Sequence, residues 1–160
     1  MARLVLSDAS PMIGLARVGG VDWLRSLFGK VELTPSVYRE LQQGPELEPA
    51  IREGIEEGWL FLRASDPEGA ERPPHLGHGE WATILAAKQY QGSVLALMDN
   101  RLARKDAKLA GIKVAGTAAL IGMARSRNLI ESAEIVFEKL LRSDFRVAPE
   151  VIRAVLERLK

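Results

Sequence analysis

Leu4-Val5-Leu6-Ser7-Asp8 is a short apolar run closed by an acid. Val94-Leu95-Ala96-Leu97-Met98-Asp99 repeats the pattern much later in the chain. Where the surrounding segments read mostly as helices, such runs are expected to be buried parallel strands. An acid at the carboxyl end of a buried strand points into the crevice where open α/β sheets bind ligands. Two acids in one crevice repel each other, and a divalent cation is the simplest partner able to hold both.

The segments around these runs alternate between helix and strand. Ser10-Pro11 predicts a helix beginning there and running to about Val18, with serine as cap and proline in the first turn. Asp22 predicts a cap for a helix over 23–28, closed by Gly29. Residues 31–33 read as a strand, and Thr34-Pro35 opens a helix through Leu41. A helix over 48–57 and a strand over 59–62 follow. Residues 64–78 form a polar loop with prolines at 67, 73 and 74, long enough to be mobile or functional. Beyond it come a helix over 79–90, a basic helix over 101–110 capped by Asp99 or Asn100, a strand over 113–115 and a helix over 117–127. A helical hairpin over 132–143 and 149–159 closes the chain. The expected fold is α/β, a three-layer α/β/α arrangement with a central, mostly parallel sheet and a C-terminal helical hairpin. A single domain over 1–160 is expected, with its core in 3–130 and a helical tail in 131–160.

The composition narrows the function. The 160 residues carry a net charge of +1, so binding to nucleic acid has to come from a local patch. There is no cysteine, which excludes disulfides and cysteine-based zinc sites and suits a reducing compartment. The chain enters its first strand at Arg3 without a signal-peptide pattern, and no apolar stretch reaches the ~18 residues of a membrane span. A cytoplasmic protein with no membrane association is expected.

Two further acids fall on inward helix faces. Glu40 lies with Val37 and Leu41 at i, i+3, i+4 spacing. Glu80 shares a face with Ile84 and Ala87 near a helix N-terminus, where the dipole favours its charge. Taken singly, each glutamate reads most simply as a solvated surface charge, Asp8 as a loop or capping residue, and Asp99 as a helix cap. Together the four suit a hard cation held by oxygen ligands. Arg101, Arg104, Lys105 and Lys108 lie on one helix face directly after Asp99, placed either for phosphate binding or for solvent. His75 and His78 have i, i+3 spacing, but Pro73-Pro74 and Gly77 argue for a loop rather than a metal pair. Trp23, Trp59 and Trp81 read as core or interface residues rather than base-stacking platforms.

Four motifs occur in order: Ser7-Asp8-Ala9-Ser10-Pro11, Thr34-Pro35-Ser36-Val37-Tyr38-Arg39-Glu40-Leu41, Gly77-His78-Gly79-Glu80 and Leu97-Met98-Asp99-Asn100-Arg101. The series resembles the successive acidic motifs of PIN-domain nucleases, nearest to the VapC-like branch with a Gly-Glu motif before the fourth strand. The resemblance runs over about 3–130, and the helical tail also fits. It implies a metal-dependent ribonuclease that uses Mg²⁺ or Mn²⁺, with Asp8, Glu40, Glu80 and Asp99 as catalytic, metal-binding acids. Ser10 is implied as a supporting hydroxyl beside Asp8. Two positions depart from the branch. Ala82 stands where a second acid often follows the Gly-Glu glutamate, and Asn100 where a second aspartate often follows the fourth strand. Asn100 retains a carbonyl oxygen able to support the site without the charge.

The implied partners are an RNA substrate, a second copy of the chain in a homodimer and, if the protein is the toxin of a toxin–antitoxin pair, a small antitoxin protein. The alternative is a catalytically weak PIN-like module that binds RNA or protein, which Ala82 and Asn100 keep open. A phosphorylation-receiver domain is disfavoured because Ser7-Asp8-Ala9 lacks an acidic pair. A dinucleotide-binding fold is disfavoured because no G-x-G-x-x-G follows a strand.

Overall fold

A computed structural model describes residues 2–160. Five strands, β1 (Leu4–Ser7), β2 (Val31–Leu33), β3 (Leu60–Leu62), β4 (Val94–Leu97) and β5 (Lys113–Ala115), form one sheet in the order β3-β2-β1-β4-β5. All four pairings are parallel, so the sheet is wholly rather than mostly parallel. The chain builds outward from β1 through β2 to β3, then crosses back to lay β4 on the other side of β1. Strand order therefore reverses between β1 and β4, and the crevice at their carboxyl ends is the topological switch point. Ser7 is in register with Leu97 there.

The two central strands alternate strictly. Leu4 and Leu6 of β1, with Val94, Ala96 and Met98, pack in a cluster with helices α5 (His78–Gln89) and α6 (Arg101–Leu109). Val5, Leu95 and Leu97 face a second, larger cluster. That cluster is built on α1 (Ala9–Arg17), α2 (Trp23–Phe28), α3 (Pro35–Leu41), α4 (Pro49–Glu57), α7 (Thr117–Ser126), α8 (Ala133–Arg142) and α9 (Pro149–Arg158). The period-two pattern thus buries both faces of the sheet, as a three-layer fold requires. In the tail, α8 and α9 both pack on α7 and on each other. Among the described residues no helix is long and apolar enough to cross a membrane.

Two helix starts differ from expectation, and a third is decided between its two expected caps. α1 begins at Ala9 rather than at Ser10-Pro11, because Asp8 is its N-cap. Pro11 still falls within the first turn, where a missing N–H costs no intrahelical bond. Asp22 precedes α2 but makes no side-chain cap bond. Asn100, not Asp99, caps α6, accepting the Ala103 N–H at 3.0 Å. Thr34 caps α3 as expected, with Pro35 opening the helix.

The stretch between β3 and α5 has no regular structure but is tied down along its length. Asp66 accepts from both the N–H and the hydroxyl of Ser36 and from Arg39. The Trp81 indole donates to Ala70 O at 3.2 Å, and His75 Nε2 pairs with Asp106 Oδ2 at 2.6 Å.

Candidate functional site

Asp8 sits where β1 gives way to α1. Its N–H donates to Leu97 O at 2.8 Å, extending the β1–β4 ladder by one residue. The residue is 4% exposed. Its Oδ1 accepts the Ala9 N–H at 2.9 Å. Burial pushes the Asp8 carboxyl up to about 7, against the pull of the Ala9 hydrogen bond, and the charges of Glu40, Glu80 and Asp99 add to the rise. Glu40 of α3, Glu80 of α5 and Asp99 after β4 are therefore all close enough to act on Asp8.

Asp99 follows β4 and is the most heavily bonded of the four. Its Oδ2 accepts the Ser10 hydroxyl at 2.8 Å and the Thr117 hydroxyl at 2.8 Å, and its Oδ1 accepts the Thr117 N–H at 2.7 Å. Ser10 was expected beside Asp8; its bond goes instead to Asp99, across the crevice. Gly116 makes this approach feasible, since a Cβ there would lie 2.7 Å from Asp99 Oδ1.

Glu40 and Glu80 meet at the start of α5. Glu40 Oε1 accepts the Gly79 N–H at 3.0 Å. Glu80 Oε1 reaches back to the Gly77 N–H at 2.8 Å. Gly79 lies between two of the acids: a Cβ there would collide with Glu40 Oε1 and stand 3.3 Å from Asp8 Oδ1.

One rule unites the four. Each carboxylate satisfies N–H donors at a helix start: Asp8 at α1, Glu40 and Glu80 at α5, Asp99 at α7. The amino ends of three helices converge on the switch point and supply partial positive charge to a cluster that would otherwise only repel. The helix ends offset part of the mutual repulsion, and the charges of the other three acids still raise Asp8.

The donor set nonetheless suits a hard divalent cation. Asp8 Oδ2, Glu40 Oε2 and Glu80 Oε2 take no hydrogen bond from the described residues, and all are oxygen ligands. In the present rotamers, among the described residues, no three Asp, Glu or His side chains converge as a ready-made metal cluster.

The basic residues flank this centre. Arg101, Arg104, Lys105 and Lys108 all line a groove that begins at Asp99. Asn100 is exposed, and its Oδ1 is occupied by the α6 cap. His78 opens α5 while His75 lies in the preceding loop, so the two do not share a helix. Trp59 belongs to the core, with its Nε1 buried and unpartnered.

A family model described as PIN domain matches residues 4–160. The chain belongs to the PIN-domain family. No curated protein and no solved structure matched it significantly. PIN domains are generally nucleases that act on nucleic acid and typically use divalent metal ions. In this PIN domain the sequence reading missed Thr117, Gly79 and Gly116. Thr117 is fully buried and polar, at the first position of α7. A threonine directly after a glycine and a short strand is the signal that could have marked it as a group facing the crevice.

Proposed function

We propose that this PIN domain, as a single unit over residues 1–160, is a divalent-metal-dependent endoribonuclease whose metal-binding acids are Asp8, Glu40, Glu80 and Asp99. The observation that carries the reading is Asp8: a buried carboxyl, raised to about 7 by burial and by three neighbouring acids, at the switch point of a parallel sheet. A buried acid so disfavoured as an anion suits a site built to be completed by a cation. Mg²⁺ or Mn²⁺ held there would lower the pKa of its bound water and offset charge developing on the phosphodiester.

The protein's own groups do the rest. A cation held there would favour the ionised Asp8 carboxylate, so its binding would release protons near neutral pH. Ser10 and Thr117 hold Asp99 in one orientation. Arg101 and Arg104, at the start of α6, hold the phosphate backbone of RNA beside Asp99. Asn100 supports the site by fixing the start of α6. The toxin role, with a small antitoxin as inhibitor and a homodimer as the assembly, follows from the resemblance to the VapC-like branch.

A second reading is a weakly catalytic RNA- or protein-binding module. It is favoured by the engagement of Glu40 and Glu80 as caps, in rotamers that do not assemble three ligands. Cleavage of a labelled single-stranded RNA with Mn²⁺, comparing wild type with Asp99→Asn and Asp8→Asn, separates the two. The nuclease reading requires cleavage by wild type and loss of at least a hundredfold in each variant. Equal rates in all three would overturn it.

A further inference from the structure

Beyond Asp99 the structure holds a groove of about 1320 Å³ lined in part by the C-terminal tail. It is lined by Arg101, Arg104, Lys105 and Lys108 of α6, by Arg146 in the segment before α9 and by Arg158 at the end of α9. Asp99 and Glu150 are its only acids. None of the six cations makes an ion pair among the described residues. Elsewhere some cations are paired with acids, such as Arg17, Arg25, Arg39 and Arg63, and others, such as Arg52, Arg127 and Arg153, are not, so what sets these six apart is their gathering along one groove. A protein of net charge +1 thus gathers six cations, from α6 and from the C-terminal tail, along one groove that includes Asp99.

We infer that this groove is a binding track for single-stranded nucleic acid, and that Arg146 and Arg158 are positioning residues that hold the strand from the C-terminal tail. The inference rests on the nuclease reading for its direction, toward Asp99, but not for its binding chemistry. Unpaired cations from α6 and from the tail match a polyanion that runs along the groove. Leu102, Leu109 and Val151 are exposed among the cations at 52%, 78% and 40%. Aliphatic surface beside phosphate-binding groups suits the faces of unstacked bases, which a duplex hides. No aromatic side chain lines the channel, so contacts to phosphates, which carry no sequence information, are expected to dominate.

The test is fluorescence anisotropy of the full-length chain with a labelled uridine 12-mer in chelator, where no cleavage occurs. Wild type should bind with steep salt dependence. Arg146→Ala/Arg158→Ala should weaken binding at least tenfold in low salt and reduce the slope of log affinity against log salt by ~1.4, for two lost phosphate contacts on a single strand. Both arginines are exposed and unpaired, so an unchanged melting temperature verifies folding. With Mn²⁺ the variant should lose rate on the 12-mer by a raised KM while kcat holds, a split that a structural lesion would not produce. Wild-type affinity and slope in the variant overturn the track even if cleavage is normal. Absent cleavage by wild type, with binding still lost in the variant, overturns the nuclease reading and leaves the track standing. Equal binding of a duplex of the same length, or binding of an acidic peptide but not of the 12-mer, overturns the single-strand assignment.

Discussion

Thr117 grips Asp99 with two donors at once: its N–H meets Oδ1 at 2.7 Å and its hydroxyl meets Oδ2 at 2.8 Å. The first residue of α7 thereby fixes a carboxylate that follows β4. The pairing gives Asp99 a charge-assisted anchor and gives α7 a cap from another part of the chain.

Thr117→Val keeps the shape but removes the hydroxyl. It should destabilise the protein by ~1–3 kcal/mol, the range for leaving a buried acceptor short of a partner. Urea denaturation checks this. Combined with Ser10→Ala, the loss should be non-additive, because both hydroxyls serve the same Oδ2.

Stability in chelator should depend on Asp8. Its folded-state value of about 7 exceeds the unfolded 3.8. Between those values the native state holds a proton that the unfolded chain has lost, so the contribution to stability declines as pH rises and is gone above about 7. At 1.36 kcal/mol per unit, that contribution is on the order of 4 kcal/mol. Wild type should therefore lose more stability than Asp8→Asn between pH 4 and pH 8 in urea titrations; parallel profiles would refute the assignment.

Mn²⁺ or Mg²⁺ should raise the melting temperature and chelator should reverse it. At a hundred times its dissociation constant, a cation bound only by the native state stabilises by ~2.7 kcal/mol. Asp8→Asn should remove the shift. Thermal scans with and without metal, for both proteins, decide it.

Gly79→Ala places a methyl group against Glu40 Oε1 and near Asp8 Oδ1. The expected cost is ~1–3 kcal/mol from overpacking, with loss of the Glu40 bond to α5. A crystal structure of the variant should show Glu40 displaced; an unmoved Glu40 with full stability would contradict the geometry.

Much of this was readable from local pattern. The strand runs ending at Asp8 and Asp99 were correctly placed because a buried parallel strand is apolar at every position, a signal visible without neighbours. Thr34-Pro35 opened α3 as expected because capping is local chemistry. Ser10-Pro11 misled for the same reason: an equally good local cap was outcompeted by Asp8 once β1 set the direction of the chain. The gathering of Glu40 and Glu80 with Asp8 could be expected only from helix faces and from the PIN resemblance.

The amino-acid order alone determined the alternation of helix and strand and the apolar runs of a parallel sheet, since each depends on residues within a few positions of one another. Tertiary structure alone decided what those acids touch. Asp99 meets Thr117, Glu40 meets the Gly79 N–H, and Arg146 lines one groove with residues of α6, because α5, α7 and the tail dock where the sheet's two clusters require. Hydrogen bonds between segments so far apart in sequence leave no periodicity for a reader of the chain to find.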